Sequence, residues 1–565
     1  MRKRLVAFGA AALIAVSLTA CSNSNDDQSS GAGDGNQSGE STAPGGADGA
    51  PITIAKPDGP IGVENNNPYI GESTSIQLGY ANAIYEPMAI PNIVDPAQEP
   101  VPWLAETVEW NDDFTELTLT ARSGVKWNDG EDFSAEDIEF TLSLLKEHPE
   151  LDNAALGLKS VTADGDTVTV TFDDPMFVKT DRVLQKHILP KHVWENEDPT
   201  TFTAENPVGT GPYTLSSFTS QSVELQARSD YWGGELAVPT LYFMSYNDNT
   251  ALTTALNNGE TDWAQATIPN VQSVYVDKDP EHNVYWPAST LGIDTMVVNT
   301  TKPPFDDVEF RKAINMVIDR DKHAVIAREE AVDPLTSVTG IPTPAGDSFI
   351  ASDFKDQSYK VDVEGAKKVL EDAGYKLDGE ALQYPKGGAV TFELQVPQGW
   401  NDYVTGISLI ADSVKELGIE ATITTPDADS WFETKSNGDF DAILHWTDSG
   451  ANPYWLYFTQ AGGDYLKPIG EAADYNFGRY DNPELDKALQ TYRTAASDDE
   501  RTKALDEVEK IFVEDVPAMP IGNRPSIGIY NTRNYVGWPS EDDPYATADP
   551  TQVSQVLVLT KLQPA

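Results

Sequence analysis

The chain has 565 residues, with 90 Asp and Glu against 38 Lys and Arg, a net charge of −52 at neutral pH. A charge of that size repels nucleic acid and anionic lipid surfaces, so neither is expected as a partner. One cysteine excludes an internal disulfide and a thiolate metal site, and the length beyond the first fifty residues calls for at least two lobes.

Arg2, Lys3 and Arg4 precede an uncharged run, Leu5 to Ala20, rich in Ala, Leu, Val and Ile. This reads as a secretory signal over 1–20, too short to stay as a membrane span. The closing Leu18-Thr19-Ala20-Cys21 resembles a bacterial lipobox, which implies a lipid on Cys21. Residues 21–50 are mostly Ser, Gly, Asn, Asp and Ala, a composition that cannot bury a core, and they are expected to form a flexible tether. No long apolar run follows residue 20.

In the body, Ile52 to Ala55 alternates as a first strand, and Glu64 to Tyr69 is a polar loop. Leu78 to Met88 is expected to be helical. Strands are expected near Leu104 to Glu106, Trp110 to Asp113, Leu117 to Thr120 and Val125 to Trp127, with a turn at Asn128-Asp129-Gly130. Ser134 caps a helix with acids in its first turn and Ile138, Thr141, Leu142 and Leu145 on one face. Asp164-Gly165-Asp166 joins a hairpin, and another spans Leu215 to Arg228. Leu189 to Trp194 opens a short helix; Leu241 to Phe243 and Asp262 to Gln265 are strands around a helix, Thr250 to Asn258, ended by Gly259. Val208 to Tyr213, with two glycines and a proline, is a rigid turn; it lacks the Gly-Lys-Ser/Thr ending of a phosphate loop.

Trp286 to Asn299 reads as extended chain crossing into a second lobe. Helices at 306–318, 364–373, 403–417 and 499–514 and strands at 390–396 and 419–423 give βαβ spacing there. Pro517 to Ile529 is strand-like and returns to the first lobe. The stretch from Phe440 to Phe458 opens as a buried strand, Ala442-Ile443-Leu444, and breaks into a loop crowded with Trp446, Tyr454, Trp455 and Tyr457 around Asp448. Rings and one carboxylate at a strand end suit a small-molecule site.

Several of these segments resemble the bacterial extracellular solute-binding proteins of family 5, the receptors of peptide-type ABC importers. The matching residues are Trp127-Asn128-Asp129-Gly130 with Ser134 to Ile138, Gly209 to Tyr213, Asp230-Tyr231-Trp232, Asn258 to Asp262, Pro304 to Ile314, Ala373-Gly374-Tyr375 and Leu417-Gly418-Ile419, in family order. The resemblance implies an α/β, two-lobed periplasmic-binding-protein-like fold, type II, of the large family 5 variety. Lobe I is then expected over 51–296 with an extra subdomain near 89–205, lobe II over 297–516, and a return to lobe I over 517–565. It also implies a monomer that binds a small oligomer between its lobes, needs no cofactor and performs no chemistry on the ligand, with ABC permease subunits as partners and a lipid-anchored, extracytoplasmic location.

Peptide receptors of the family carry Trp and then Asp-Tyr in this loop, the Asp pairing with the ligand's α-amino group. Here Trp446-Thr447-Asp448-Ser449 has closer spacing and no Tyr. The added rings lean toward members that bind oligosaccharides, whose C–H faces stack on indoles. Candidate ligand contacts are Trp446, Asp448, Trp400, Trp431 and Trp455 from lobe II, and Asn67, Gln265 and Trp286 from lobe I. Rival readings are a secreted hydrolase and a nickel-type metal receptor. No Gly-x-Ser-x-Gly occurs and no spacing selects a carboxylate pair; His187 and His192 straddle Pro190, leaving His445 beside Trp446 as the one hint of metal.

Overall fold

The computed structural model describes residues 49–57, 61–71 and 73–565. The secretory signal, Cys21 and nearly all of the tether lie outside the described residues. The body is α/β and two-lobed. A seven-stranded sheet organises lobe I, in the order Asn283–Ala288, Ser526–Asn531, Trp263–Ala264, Ile52–Lys56, Thr240–Ser245, Ser222–Ala227 and Tyr213–Phe218. Ile52–Lys56 pairs in parallel with strands on both sides and sits inside the sheet, with Ile52, Ile54 and Ala55 buried and Thr53 and Lys56 half-buried.

A second sheet of lobe I is four-stranded and antiparallel (Ala105–Trp110, Glu116–Ala121, Thr167–Phe172, Leu158–Asp164), and its buried residues join those of the large sheet in one core. Val168, Val170 and Phe172 alternate inward. The helix Ala135–Glu147 packs beside it, its start fixed by reciprocal bonds between Ser134 and Asp137.

Lobe II is built on five strands in the order Glu420–Thr424, Thr391–Gln395, Ala442–Trp446, Ile293–Val298 and Ala518–Asn523. The first three run parallel, joined by the helices Asn401–Lys415 and Ala428–Asn437. Strand alternation divides the core: Met296, Val298, Ala442 and Leu444 face the helices Val308–Val317, Val363–Asp372 and Asn401–Lys415, while Val297 and Ile443 face the opposite side with Trp431 and Phe477.

Two short segments carry the chain between the sheets. Asn283–Ala288 lies in the large sheet and Ile293–Val298 in the small one; Ala518–Asn523 lies in the small sheet and Ser526–Asn531 in the large one. The crossings at 289–292 and 524–525 therefore lie five to eight residues from the expected boundaries 297 and 517, because continuous extended runs hide the change of sheet. Thr290 Oγ1 donates to the Arg524 carbonyl, and the Arg524 amide donates to the Gly292 carbonyl, both at 3.0 Å, so the crossings are bonded to each other.

Four expected elements differ. The strands expected at Leu104 to Glu106 and Trp110 to Asp113 are one strand, Ala105–Trp110, with 112–113 in the turn that follows. The helix expected over 78–88 is two short ones, Thr74–Leu78 and Ala81–Ile84, split where Gly79 takes φ 86°. Val125 to Trp127 is no strand beyond one isolated bridge at Lys126. The aromatic loop after Pro453 is a helix, Tyr454–Ala461, buried along its whole length; an apolar run with no polar face gives no helical period to read.

The motifs behind the family resemblance converge on structural work. The buried Arg228 guanidinium donates to the carbonyls of Gly209, Thr210 and Gly211, and to those of Lys126 and Trp127. Buried Glu86 accepts from Trp103 Nε1, Tyr231 Oη and Trp232 Nε1 at 2.6–2.8 Å. A Cβ at Gly209 would fall on the Ile84 carbonyl oxygen, which is why that rigid turn takes glycine. In lobe II, Arg311 likewise donates to the carbonyls of Phe305, Asp515 and Val516.

Candidate ligand-binding site

The strand Ala442–Trp446 ends beside the crossing segments, and its last residue is half-buried where the four before it are buried. Trp446 has His445 stacked on it at 4.2 Å, Trp400 tilted against it at 5.9 Å, and the Arg524 guanidinium over its ring at 4.7 Å. Arg524 is exposed, and among the described residues its side chain makes no hydrogen bond or ion pair. Asp448 is half-buried two residues on. It accepts a 2.7 Å bond from Tyr475 Oη and lies 4.0 Å from Arg182 of lobe I. Burial, and then that bond to Asp448, push the Tyr475 hydroxyl pKa up, so it stays a donor.

Trp446 and Asp448 open on a pocket of about 190 Å³ that runs into lobe II, with Thr295, Thr459, Gln460 and Lys435 along it. His445 donates through Nδ1 to the Trp446 carbonyl at 2.6 Å and turns Nε2 toward Lys435 Nζ at 3.3 Å. Burial first, and Lys435 second, lower the His445 pKa to about 3, so the ring is a neutral acceptor. Burial lowers Lys435 to about 8.

The structure brings Trp446, Asp448 and Trp400 together and separates the other expected residues. Trp431 has no exposed surface and packs against Trp400 and His445, so it is core rather than a ligand contact. Asn67 is also fully buried. Its amide donates to the carbonyls of Pro199 and Phe202, so it ties loops of lobe I together and offers nothing to a ligand. Trp455, 7% exposed, donates to the Val178 carbonyl at 2.9 Å beneath the Arg182 guanidinium; it seals a contact between the lobes instead of presenting a free ring. Gln265 is half-buried just past the strand Trp263–Ala264. Trp286 lines a separate cavity of about 500 Å³ between the lobes, with Tyr285, Thr290, Asp95 and Asn523. Arg182 and Lys435 escaped the sequence reading: each looks like a surface cation until the fold places it.

His445, the one histidine that hinted at metal, bonds the Trp446 carbonyl and faces Lys435, and the other two weighed are also engaged. His187 Nε2 bonds Asn82 and His192 Nε2 bonds Asp129. Among the described residues no cluster of His, Cys, Asp and Glu is placed to hold a metal ion.

The profile for "Bacterial extracellular solute-binding proteins, family 5 Middle" matches residues 99–465. The chain belongs to the family 5 solute-binding proteins. Protein XP55 of Streptomyces lividans is 28% identical to this family 5 protein over 421 residues, 72% of each chain. An oligopeptide ABC transporter periplasmic oligopeptide-binding protein of Thermotoga maritima superposes with a TM-score of 0.81 at 24% identity, covering 91% of this chain and 99% of its own. The same Thermotoga maritima protein bound to mannohexaose superposes with a TM-score of 0.72 at 24% identity, covering 91% and 98%. At that identity the likeness speaks for the fold. No helix among the described residues is long and apolar enough to cross a membrane.

Proposed function

We propose that this family 5 protein is the receptor subunit of an ABC importer. It captures a short oligomer between its lobes and passes it, chemically unaltered, to permease subunits in the membrane. Cys21 carries the lipid that anchors it on the outer side, the segment over 21–50 gives the body reach, and the protein works as a monomer. The observation that carries the reading is the Trp446 corner. An indole pair and a carboxylate meet at a strand end, beside the two segments about which the lobes turn.

The indole-rich wall favours an oligosaccharide, with C–H faces on Trp446 and Trp400 and hydroxyls on Asp448 and Gln460. A stacking ligand displaces Arg524, which only the ring holds. Micromolar affinity requires about 8 kcal/mol, within reach of two rings at ~1 kcal/mol each and several enclosed hydrogen bonds at ~1 kcal/mol each. Asp448 favours a second reading, a peptide whose α-amino group pairs with its carboxylate. The relatives support both, since one carries an oligopeptide name and was crystallised with mannohexaose. Either ligand closes the lobes only to the extent that it binds the closed form more tightly.

Thermal shift and intrinsic tryptophan fluorescence test the reading, with short β-1,4-linked gluco- and manno-oligosaccharides in one panel and tri- to pentapeptides in the other. A saturating ligand raises Tm and changes the fluorescence in one panel. Silence in both overturns the reading.

A further inference from the structure

The pocket beside Trp446 holds a cation that, among the described residues, forms no ion pair, although Asp448 and Asp474 line the same pocket. Lys435 stands on the helix Ala428–Asn437 and is 9% exposed. Its ammonium lies over three rings, 4.2 Å from the centroid of Phe477, 5.0 Å from Phe432 and 5.8 Å from Trp431. Its one hydrogen bond goes to the neutral Nε2 of His445. An ammonium has three donors, and among the described residues Lys435 forms no ion pair. Asp474 acts on it only through space, from an exposed position. Ring faces and an imidazole soften the loss of water around a cation but do not neutralise it. With 90 acidic residues against 38 basic ones, this buried cation is no spill-over from a basic surface. The same pocket reaches Trp446 and Asp448, so whatever occupies the Trp446 corner has direct access to Lys435. Arg524, over the Trp446 ring and also without an ion pair, adds a second positive group at the mouth.

We infer that Lys435 receives a carboxylate of the bound oligomer, so that the receptor selects ligands carrying an acidic group. This rests on the receptor reading above and narrows its ligand class. The acid meant is one carried within the oligomer, a uronate unit of an oligosaccharide or an acidic side chain of a peptide; a peptide's C-terminal carboxylate is excluded by amidating both peptide probes. The carboxylate enters the 190 Å³ pocket, takes the donors that His445 leaves open, and replaces water with a charge-assisted bond.

The test uses two matched pairs at pH 7: a β-1,4-linked glucuronate trimer against cellotriose, and Ala-Glu-Ala-amide against Ala-Gln-Ala-amide. Affinities are measured by titration calorimetry on the wild-type protein and on Lys435→Met, with Lys435→Gln as a second variant should Met disturb the fold. In one pair the acid binds at least tenfold more tightly than its neutral partner, and the pair that shows this identifies the source. Lys435→Met abolishes that difference, so that the acidic probe binds no more tightly than its neutral partner. Equal affinity of acid and neutral probes overturns the inference while leaving the receptor reading intact. A difference that survives in both variants overturns it too, by assigning the selectivity to another group. Absence of binding by all four probes overturns the inference alone; the receptor reading falls only with silence in both panels of the screen above.

Discussion

Two polar clusters of this protein, one in each lobe, use buried charge in opposite ways. Around Glu86 and Arg228 in lobe I each charge is met by its complement: three donors converge on one carboxylate, five carbonyls on one guanidinium. Around Lys435 in lobe II a cation meets rings and one neutral nitrogen. A closed network of bonds holds loops in place and has nothing left for a visitor. An open one costs stability and retains capacity for binding. The residues most diagnostic of the family lie in the first kind of cluster, and the residues proposed to choose the ligand lie in the second.

The contrast predicts its own failures. The largest effect is expected from Glu86→Leu, which orphans the donors of buried Trp103 and Tyr231 and of half-buried Trp232 at about 1–3 kcal/mol each and lowers Tm by roughly five degrees or more, or prevents expression of folded protein. A small change in melting temperature would show that the knot is not structural. Gly209→Ala comes next: the added methyl meets the Ile84 carbonyl and forces the turn apart, a cost of about 2–3 kcal/mol, again read as Tm, with no effect on the affinity of a ligand found in the screen.

Trp446→Ala reverses that pattern. It lowers affinity at least tenfold, about 1.4 kcal/mol or more, and shifts Tm little because the ring is only half-buried; unchanged affinity would remove Trp446 from the site. The smallest effect is on the pH dependence of stability. The Lys435 pKa falls from its ordinary 10.5 to about 8 through burial. Its neighbours are neutral His445, Tyr475, Asp448, Asp474 and Arg524. Below pH 8 both folded and unfolded chains hold the proton, and the buried charge costs stability. Between pH 8 and 10.5 the unfolded chain binds more protons, so this group's contribution rises with pH. Lys435→Met is therefore more stable than wild type at pH 7, by a margin that closes toward pH 10.5 in parallel melts; a margin independent of pH would contradict the assignment.

The legibility of the sequence follows the same division. Alternation and capping residues mark the hairpin at Asp164-Gly165-Asp166, the helix begun by Ser134, and the helices ended by Gly259 and Gly374 because those signals are local. Trp446 and Asp448 are visible as part of an aromatic-acidic cluster at a strand end, and the fold brings Trp400, a separate candidate from earlier in the chain, against Trp446. Trp431 and Asn67 went astray because residue type cannot tell a ring or amide turned inward from one turned to a cleft. Lys435 is silent in sequence, one lysine in the polar run Thr434-Lys435-Ser436. Its character comes from Phe477 and His445, which the fold delivers from forty-two and ten positions away.

Arg524 belongs to two devices at once. Its main chain is part of the bonded pair of crossings, and its guanidinium rests on the indole at the mouth of the pocket. On the proposed reading, a molecule that lifts that guanidinium away acts on the same residue whose main chain ties the crossings together. The lever between occupancy and rotation is then a single side chain long, and a permease sensing the angle between the halves would be reading the posture of one arginine.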